Sequence, residues 1–498
     1  MNTRTAAPLV SIPTSNPSRN SAPLLAAPPA ANGAAPSLVP ALSPALLPAR
    51  AGDHLPIHRL LVAAFHGPTP TEFQAQLDEP GYDPADRLVV KLGERVAAHV
   101  RLRRRTLVAA GVQIPAAQLL DLATSAEYRG QGFASSLIAA AERRAREDGM
   151  LIGLTRTRAP ALFARRGWSV CGRHVFSTGG ARQILAQLQA TSGGLNGRHA
   201  AGADDESDGH TECAYHLLRP DARPAISLRP LRRIELPAVM RLYERPLARR
   251  HGSPVRSQAY WEWLLGRGAC DRIYVAAEGS ESADLNVQLE AIRGAVFSRE
   301  GRIVELLADE GRRDIAEHLL ARVCGDASEQ DQWQVRLDAP PEDPLHELVR
   351  AAGGQVHQAE EFGGEVFMAK ALHPRRLLAL LGEAFADRLD AAGIERPVQL
   401  GLEIQGGAKT GVTHAVEIAR MRLVFTSRGM KLAAGPLGRH YLTLRLRDLT
   451  PLALGHFDVA ELIAAGRLAP STKAAAQHGR ILFPRLAWWR PPLDDLLA

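Results

Sequence analysis

Hydrophobic and polar residues alternate in short segments along most of the chain, and their spacing predicts both strands and helices. The segments 87–91 and 94–100 alternate with the two-residue period of strands and flank a glycine turn. A helix is predicted over 54–67, where the pattern ends at a glycine, and another from Ser135 onward. Further strands are predicted at 119–123, 151–155 and 168–177. This order predicts a mixed domain of strands and helices.

A turn with two glycines separates the strand at 119–123 from the helix that begins near Ser135. Its sequence is Tyr128-Arg129-Gly130-Gln131-Gly132-Phe133-Ala134. The first N–H groups of a helix have no partner within the helix, and the positive end of the helix dipole points the same way. Glycine lets the backbone bend and approach a ligand, and Arg129 adds a positive charge. The turn therefore suits an anion such as a pyrophosphate; the alternative is a surface turn with an incidental arginine.

The spacing of the glycines distinguishes between kinds of phosphate-binding turn. The sequence lacks G-x-x-x-x-G-K-[ST], and Ser135 replaces the third glycine of a G-x-G-x-x-G fingerprint. Arg129, Gly132 and Ala134 do fit R-x-x-G-x-A, and the segment 162–168, LFARRGW, is similar to F-Y-x-x-x-G-F. Together, after a strand and before a helix, these two motifs resemble those of the GNAT superfamily of acyl-CoA N-acyltransferases.

The order of elements is repeated from residue 225, but without the phosphate-binding turn. Strands are predicted at 226–231, 272–277, 291–298 and 302–307, with a helix over 235–247. The segment after the last of these strands, ADEGRRD at 308–314, has three acids and one glycine and would repel a pyrophosphate. We therefore expect a second unit of the same fold that does not bind the cofactor. Trp261 and Trp263 are expected to be core or interface anchors in this unit.

From about residue 374 the pattern is typical of an α+β domain. An amphipathic helix is predicted over 375–393, strands at 398–404, 415–419, 421–426 and 430–433, and helices at 448–454, 459–465 and 474–478. An antiparallel sheet with helices on one side accounts for this order. The chain then ends in a segment rich in proline and aromatic residues, 483–498, where Trp488 and Trp489 indicate docking on the rest of the protein.

The order of these three units resembles that of the enhanced-intracellular-survival (Eis) acetyltransferases. The implied fold class is mixed α-β and α+β, with tandem GNAT-like domains followed by a sterol-carrier-like domain. The expected ranges are 1–50 for a disordered Ala/Pro-rich tail, 52–190 for the GNAT domain, 191–224 for a polar linker, 225–372 for the second GNAT-like domain and 374–498 for the sterol-carrier-like domain, whose tail would return to the active site. A transit or export peptide is the alternative for the first range.

The resemblance implies that acetyl-CoA is the co-substrate and assigns a set of contacts to it. Leu122, Ala123 and Thr124 would present strand backbone to the pantetheine and the thioester. The pyrophosphate would be held by Arg129, Gly130, Gln131, Gly132, Phe133, Ala134 and Ser135, and Arg158 and Ala159 would add a further contact. The carboxylate of Ala498 would be the general base, and Phe163 occupies the position of the family's general-acid tyrosine.

Two features differ from the family pattern. Phe163 has no proton to give, and the chain ends in DDLLA rather than in an aromatic residue. Alternative proton donors are Tyr128, Ser125 and His174, although a histidine on a strand is more often structural. The acids that could attract a cationic substrate are Asp121, Glu127, Asp494 and Asp495, each of which has the simpler interpretation of a solvated surface charge.

Composition limits the other classes of function. The chain of 498 residues has 60 basic and 53 acidic side chains and a net charge of +7, without the aromatic-interleaved basic patch of a nucleic-acid-binding protein. No apolar run approaches the roughly 18 residues of a membrane span. The 4 cysteines lie far apart, as is typical of reduced intracellular thiols, and His210 with Cys213 offers too few ligands for a metal.

We therefore predict a cytoplasmic N-acetyltransferase that transfers an acetyl group from acetyl-CoA to a primary amine, which is polyamine-like, aminoglycoside-like or a protein lysine. The resemblance also implies a homo-oligomer, for which a hexamer is one expectation. A non-catalytic acyl-CoA-binding or sensing protein is the first alternative, because Phe163 would permit it. A lipid carrier that uses the C-terminal domain is the second.

Overall fold

The computed structural model describes residues 43–172, 174–193, 225–279, 284–358, 366–405 and 419–495, and the chain from Pro44 onward belongs to one unit. The strands are β1 Ala45–Pro48, β2 Arg87–Leu92, β3 Arg95–Ala109, β4 Val112–Thr124, β5 Ile152–Thr157, β6 Ser169–Gly172, β7 Val175–Gly180, β8 Ile226–Pro230, β9 Arg272–Glu278, β10 Ile292–Arg299, β11 Arg302–Ala308, β12 Gln334–Asp338, β13 Gln355–Gln358, β14 Val366–Ala371, β15 Val398–Gln405, β16 Ala419–Thr426, β17 Gly429–Ala434, β18 Tyr441–Arg445 and β19 Leu468–Pro470. The helices are α1 His54–Phe65, α2 Pro70–Leu77, α3 Phe133–Glu147, α4 Pro160–Ala164, α5 Ala181–Gly193, α6 Leu236–Glu244, α7 Gln258–Gly266, α8 Leu285–Ala291, α9 Arg313–Glu329, α10 Leu345–Ala351, α11 Pro374–Leu380, α12 Gly382–Ala391, α13 Leu446–Ala453, α14 Val459–Ala464 and α15 Lys473–Leu482.

The first sheet has the strand order β1-β2-β3-β4-β5-β14-β6. Helix α3 packs on one face through Leu137, Ile138 and Ala141, which are fully buried, as the sequence predicts. Burying each of the two larger side chains stabilises the fold by about 2 kcal/mol. Helices α1 and α2 cover the other face, where Leu61 and Phe73 pack on β2 and β3. The glycine turn therefore lies at the end of β4, held between two packed layers.

Strands β3 and β4 form a hairpin that is longer than the sequence predicts. The expected strands at 94–100 and 119–123 extend to Arg95–Ala109 and Val112–Thr124. The reason lies in an arginine-rich run, in which Arg101, Arg103 and Arg105 are buried on one face of β3 and all bind Glu79. Because these guanidinium groups have a buried carboxylate partner, a polar run can continue the strand.

The second sheet has the strand order β13-β7-β12-β11-β10-β9-β8. Helices α5 and α9 pack on one of its faces, and α6 and α7 pack on the other. Trp261 of α7 is fully buried against Tyr243 and Phe297, so the predicted core role of this tryptophan is confirmed.

Each of these two sheets contains a strand from the other half of the chain. Strand β14 lies between β5 and β6 in the first sheet, and β7 lies between β12 and β13 in the second. The single strand predicted over 168–177 is therefore wrong, because β6 and β7 belong to different sheets. At the break, a Cβ on Gly172 would lie 2.9 Å from Trp488 and 3.2 Å from Phe367. The expected ranges 52–190 and 225–372 thus exchange one strand each.

The third sheet has the strand order β17-β16-β15-β18-β19. It is antiparallel except that β15 and β18 are parallel, so the predicted all-antiparallel sheet is wrong at this pair. Strands β18 and β19 are absent from the prediction, and most of the strand predicted at 415–419 lies outside the described residues. The helix predicted over 375–393 is interrupted at Leu381 and forms α11 and α12.

Helices cover one side of the third sheet, as predicted. Leu400 and Leu402 of β15 are buried with Leu449 and Leu482 from helices α13 and α15. On the opposite side, Glu403 pairs with the exposed Arg420 of β16. The unit is therefore α+β, whereas its resemblance to sterol carriers stays a prediction.

The tail after α15 docks on the first and second sheets, as Trp488 and Trp489 indicate from the sequence. Both tryptophans are buried, and the backbone N–H of Trp489 donates to the carbonyl of His251 at 2.8 Å. Leu493 lies in the core beneath α6 and α7. The tail thus reaches the place where these two sheets face each other.

One strand lies within the range that was expected to be disordered. Residues 1–42 are outside the described part of the chain, but β1 pairs antiparallel with β2 at the edge of the first sheet. The prediction of disorder up to residue 50 is therefore wrong for Ala45–Pro48. The proline at the end of this strand is tolerated because the strand is at an edge.

Candidate active site

The glycine turn lies between the end of β4 at Thr124 and the start of α3 at Phe133. Gly130 and Gly132 have φ angles of 80° and 82°, which side chains disfavour, and Gly132 is the N-cap of the helix. A Cβ at either position would meet no atom within 4 Å. The turn is therefore open, and its conformation rather than crowding requires glycine.

The N-terminus of α3 presents unpaired backbone donors to this open space. The first intrahelical bond is from Ser136 N–H to the Gly132 carbonyl at 3.0 Å. Among the described residues, the N–H groups of Phe133, Ala134 and Ser135 have no acceptor. The exposed Arg129 lies at the same place, where its Nε is 3.4 Å from the Thr124 carbonyl. Donors, helix dipole and guanidinium together favour an anion.

A second arginine, which the sequence analysis missed, lies at the same helix terminus. The Arg166 guanidinium donates to the Ser135 hydroxyl at 3.1 Å and is 3.9 Å from Glu142. Arg166 belongs to the LFARRGW segment, so the two sequence motifs meet at one place in the fold. The sequence did contain a signal for Arg166, because this arginine lies within the second motif at a position that the motif itself does not define.

Strands β4 and β5 separate next to this turn. They are paired in parallel only as far as Gln118 and Leu154, and the Thr155 hydroxyl then donates to the Leu119 carbonyl at 3.0 Å. Strand β4 continues to Thr124 without a partner on this side among the described strands. Leu122, Ala123 and Thr124 thus line a gap with free backbone groups, as the predicted pantetheine contacts require.

A bulge in β4 lies beside this gap. The register with β3 shifts between His99 and Arg101, and Asp121 has a φ of 54°. His99 supports the bulge, since its Nδ1 is 2.9 Å from the Asp121 carbonyl and its Nε2 is 3.3 Å from the Arg87 guanidinium. Burial and the charge of Arg87 lower the pKa of His99 to about 3. The ring is therefore neutral, and it donates through Nδ1 and accepts at Nε2.

The other predicted cofactor contact lies at the far side of the gap. Arg158 and Ala159 follow β5 and are both exposed. The Ala159 N–H donates to the Thr157 hydroxyl at 2.9 Å, which fixes the turn into α4. This places both residues at the end of the strand that parts from β4.

Phe163 is part of the core. It is 2% exposed and packs edge-on against Trp168, with ring centroids 5.4 Å apart. Its neighbours include Leu137 of α3. The residue therefore contributes packing beneath the gap, and its catalytic assignment stays a prediction.

Two of the three alternative proton donors lie near the end of β4. Tyr128 is half-buried under the Arg95 guanidinium, and the Ser125 hydroxyl donates to Glu127 at 3.1 Å. His174 does not lie there: its Nε2 is 2.5 Å from Asp338 of the second sheet. Its predicted structural role is confirmed by this contact.

Asp494 of the tail is buried in an ion-pair cluster. Arg256 approaches its two carboxylate oxygens at 2.7 Å and 3.3 Å, and the Tyr260 hydroxyl donates to it at 3.1 Å. Burial alone would raise the pKa of Asp494, but Arg256 holds it below its usual value. A solvated surface charge is therefore the wrong interpretation of this residue; it anchors the tail.

Asp495 lies where β4 and β5 part. It accepts from the Gln118 amide at 3.1 Å, from Arg490 at 2.9 Å and from Arg156 at 3.3 Å. Burial opposes its ionisation, but Arg490 and Arg156 lower the pKa of Asp495 to about 2. At neutral pH this carboxylate is ionised and engaged, so it is poorly suited to accept a proton. Ala498 lies outside the described residues.

A cavity of about 80 Å³ lies between α2, the β3–β4 hairpin, α7 and the tail. Its lining includes Glu72, Gln76, Arg101, Arg103, Leu120, Asp121, Trp263, Arg267, Asp494 and Asp495. Trp263 confirms its predicted role as an interface anchor, since its indole N–H donates to the Ala75 carbonyl at 2.7 Å. Three of the four predicted acids line this cavity, whereas Glu127 pairs with Arg95 at 2.5 Å on the surface.

The described part of the chain contains neither a candidate metal-binding cluster nor a helix that could span a membrane. The described side chains include no cluster of three or more His, Cys, Asp or Glu that could hold a metal ion. His210 and Cys213 lie outside the described residues. Likewise, no described helix is both long enough and apolar enough to cross a membrane.

A sheet whose parallel strands part beside an open helix N-terminus defines the acyl-CoA-binding class of fold that the motifs predict. Residues 47–171 match the family model of an acetyltransferase (GNAT) domain. The chain therefore contains a GNAT acetyltransferase domain, and the predicted acyltransferase class is confirmed. A search of curated protein sequences finds no match.

Solved structures show the same fold over most of the chain. A GCN5-related N-acetyltransferase from Anabaena variabilis is 16% identical, with a TM-score of 0.64 over 90% of this chain and 99% of that one. One from Kribbella flavida is 17% identical, with a TM-score of 0.62 over 90% and 97%. Eis1 from Mycobacterium abscessus is 16% identical, with a TM-score of 0.57 over 90% and 99%. At these identities the likeness concerns the fold alone.

Proposed function

We propose that this protein is an acetyl-CoA-dependent N-acetyltransferase of Eis type that acetylates a primary amine. The observation that carries the proposal is the turn at Gly130 and Gly132. It presents free amide donors and two arginines at the end of the gap between β4 and β5. A coenzyme pyrophosphate at the turn would place the pantetheine arm along Leu122–Thr124.

The chemistry requires little from the protein beyond position and proton transfer. A neutral amine attacks the thioester carbonyl, a C–N bond forms, and the C–S bond breaks to release CoA thiolate. Free backbone N–H groups of β4 would stabilise the oxygen that gains charge. Holding the amine against the thioester supplies much of the acceleration. A base that removes the ammonium proton contributes typically about 10²–10⁴-fold.

The carboxylate of Ala498 remains our proposal for this base. Support comes from Asp495, which is fixed at the parting of β4 and β5 by Gln118 and Arg156. Three residues of extended chain span at most about 10 Å, which suffices to reach the gap from there. Tyr128, at the end of β4, is our candidate for protonating the thiolate in place of Phe163.

The proposal is tested by incubating the full chain with acetyl-CoA and a panel of polyamines, aminoglycosides and lysine peptides. We expect free thiol to be released with at least one amine, and the acetylated amine to be found by mass spectrometry. Binding of CoA without release of thiol on any amine would instead favour the sensing function that Phe163 permits. Binding of a lipid but not of CoA would favour a carrier.

Three further parts of the proposal rest on the resemblance. They are the cytoplasmic location, the homo-oligomeric state and the sterol-carrier character of the third unit. Sedimentation of the full chain would test the oligomer directly, and a hexamer is the expected species.

A further inference from the structure

The charge of the cavity beside β4 differs from what a polycationic acceptor would require. Arg101, Arg103 and Arg267 line it, and Arg105 lies next to them. The acids are largely engaged elsewhere, since Asp494 is held by Arg256 and Asp495 by Arg490. Two further carboxylates line the cavity, and they are also engaged: Glu72 accepts from the Thr69 backbone N–H, and Asp121 is 3.8 Å from the Arg87 guanidinium.

One carboxylate serves three of these arginines. Glu79 accepts from Arg101, Arg103 and Arg105, which project from alternate positions of β3. All three guanidinium groups are buried, as is Glu79. A single negative charge cannot neutralise three positive ones, so positive potential remains at the cavity.

Two of the arginines have few partners, and Arg267 keeps a buried donor that no described group satisfies. Arg101 is 3% exposed, and among the described residues its only partner is Glu79. Arg267 donates from one nitrogen to the Leu493 carbonyl, while its buried Nε has no acceptor in the described chain. Buried donors without partners are costly, and a ligand acceptor would satisfy them.

The arginines of this cluster differ in their pKa: burial opposes the charge of Arg103, but Glu79 raises its pKa above the usual value, whereas the pKa of the others is lowered. Burial and the neighbouring Arg103 lower the pKa of Arg101 to about 10. Burial likewise lowers the pKa of Arg267 and of Arg105. A bound anion would reverse this by stabilising the charged form of each group.

An acidic oxygen without a hydrogen-bond partner lies in the same cavity. Asp121 Oδ2 is buried, accepts no hydrogen bond, and is 3.8 Å from the Arg87 guanidinium. Asp121 forms the β4 bulge and directly precedes Leu122, which lines the gap. The cavity lining thus includes one guanidinium donor, Arg267 Nε, and one carboxylate oxygen, Asp121 Oδ2, that have no hydrogen-bond partner among the described residues.

We propose that the amine acceptor carries a carboxylate close to its amine, and that Arg101 and Arg267 bind this carboxylate. The proposal rests on the proposed acetyltransferase function and names its substrate class: amino acids and comparably compact amino carboxylates. Asp121 would hold the ammonium group before it loses its proton.

The test compares acceptors that differ only in the carboxylate. The full chain is assayed with acetyl-CoA and three pairs: lysine and cadaverine, ornithine and putrescine, phenylalanine and phenethylamine. We expect the carboxylate member of at least one pair to have the higher kcat/KM, by about 10–100-fold, the range for a charge-assisted hydrogen bond. Equal or better use of the decarboxylated members, or transfer only to other amines, would overturn the proposal but leave an acetyltransferase. Failure to acetylate any amine would overturn the proposed function itself.

Variants then locate the carboxylate. Arg267→Gln, and separately Arg101→Gln, should reduce the preference within the responsive pair at least tenfold by raising KM for the carboxylate member alone. Arg59→Gln, an exposed change on α1, is the matched control and should leave the preference unaltered. Thermal unfolding shows whether each variant folds; Arg267 is the less buried of the two and is the safer change. Equal losses for both members of the pair would show that the arginines only anchor the tail, and would overturn the assignment.

Discussion

In both large sheets a strand runs into a turn and then into a long helix, β4 into α3 and β11 into α9. In both, the strand is paired in parallel with its neighbour over only a few residues, as far as Gln118 in β4 and over Arg302 and Ile303 in β11. The turns differ. The first contains two glycines with positive φ and opens on free amide groups, whereas the second contains only Gly311 with positive φ.

In the second turn, two backbone N–H groups and the Arg312 guanidinium already have partners within the protein. The Arg312 N–H donates to the Asp309 carbonyl at 3.0 Å, and the Ile315 N–H donates to the Arg312 carbonyl at 3.2 Å. The Arg312 guanidinium, which would otherwise attract an anion, is bound by Asp314 and Glu278 at 2.9 Å each. The parting of strands therefore belongs to the fold, while anion binding depends on a few residues of the turn. That the second unit does not bind CoA stays our prediction.

The largest expected effect on the difference between the two turns comes from a substitution that blocks the first turn. Gly132→Glu adds a negative charge beside the proposed pyrophosphate site and a side chain at a φ of 82°. Repulsion between the two anions and a lost charge-assisted contact should weaken CoA binding about 100-fold or more. Titration calorimetry with CoA measures this effect.

The matched control is Gly311→Glu, where φ is 75° and a Cβ also meets no atom within 4 Å. It carries the same strain and charge, so it should lower stability similarly but change CoA affinity less than about twofold. A comparable loss of affinity in both variants would mean that the two turns are not distinguished as we argue.

The bulge of β4 gives the first sheet a pH dependence, because the neutral His99 ring supports it. In β11, by contrast, no described residue has a positive φ. The pKa of His99 is about 3 in the folded protein and about 6.5 when unfolded. Below about pH 6.5 the unfolded chain takes up a proton that the folded chain does not. Its contribution to stability is therefore present above pH 6.5 and is lost as pH falls towards 3.

Urea unfolding at pH 7.5 and pH 5 measures this contribution. His99→Asn keeps a donor for the Asp121 carbonyl and an acceptor for Arg87 but does not titrate. Its free energy of unfolding should fall between these pH values by about 2 kcal/mol less than that of the native chain. Identical pH slopes for the two proteins would show that His99 is not held neutral.

Two arginine substitutions, one at each turn, test the same difference through a smaller expected change in CoA affinity. Arg166→Ala removes a cation from the open turn and should weaken CoA binding about five- to tenfold, a modest value because solvent screens a partly exposed charge. Arg312→Ala should leave CoA affinity unaltered and lower the melting temperature, because Glu278 and Asp314 each lose an ion-pair partner. Unchanged affinity in Arg166→Ala would assign that arginine to Glu142 alone.

The parts of the site that could be predicted are those encoded within one short segment. The turn at Gly130 and Gly132 and the buried face of α3 are local properties of spacing and residue type. The docking of Trp488 and Trp489 was also predictable, because apolar residues at a chain end need a partner. Phe163 could be recognised as lacking a proton, although its burial against Trp168 could not.

The parts that could not be predicted depend on distant partners. The apolar run of β14 gives no sign that it joins β5 and β6, since any edge with a suitable pattern could accept it. The clustering of Arg101, Arg103 and Arg105 around one carboxylate could not be predicted, because that carboxylate, Glu79, lies in a loop before β2. Their alternate spacing was the available signal, since it places three guanidinium groups on one face of a strand.

The exchange of β7 and β14 has a consequence for how the protein is made. A ribosome releases the glycine turn and most of the first sheet early, yet β5 and β6 meet only through Val366–Ala371, which emerges far downstream. Until then β5 has a bare edge on the side that faces away from β4. The first sheet can therefore be completed only after the chain as far as Ala371 has been synthesised.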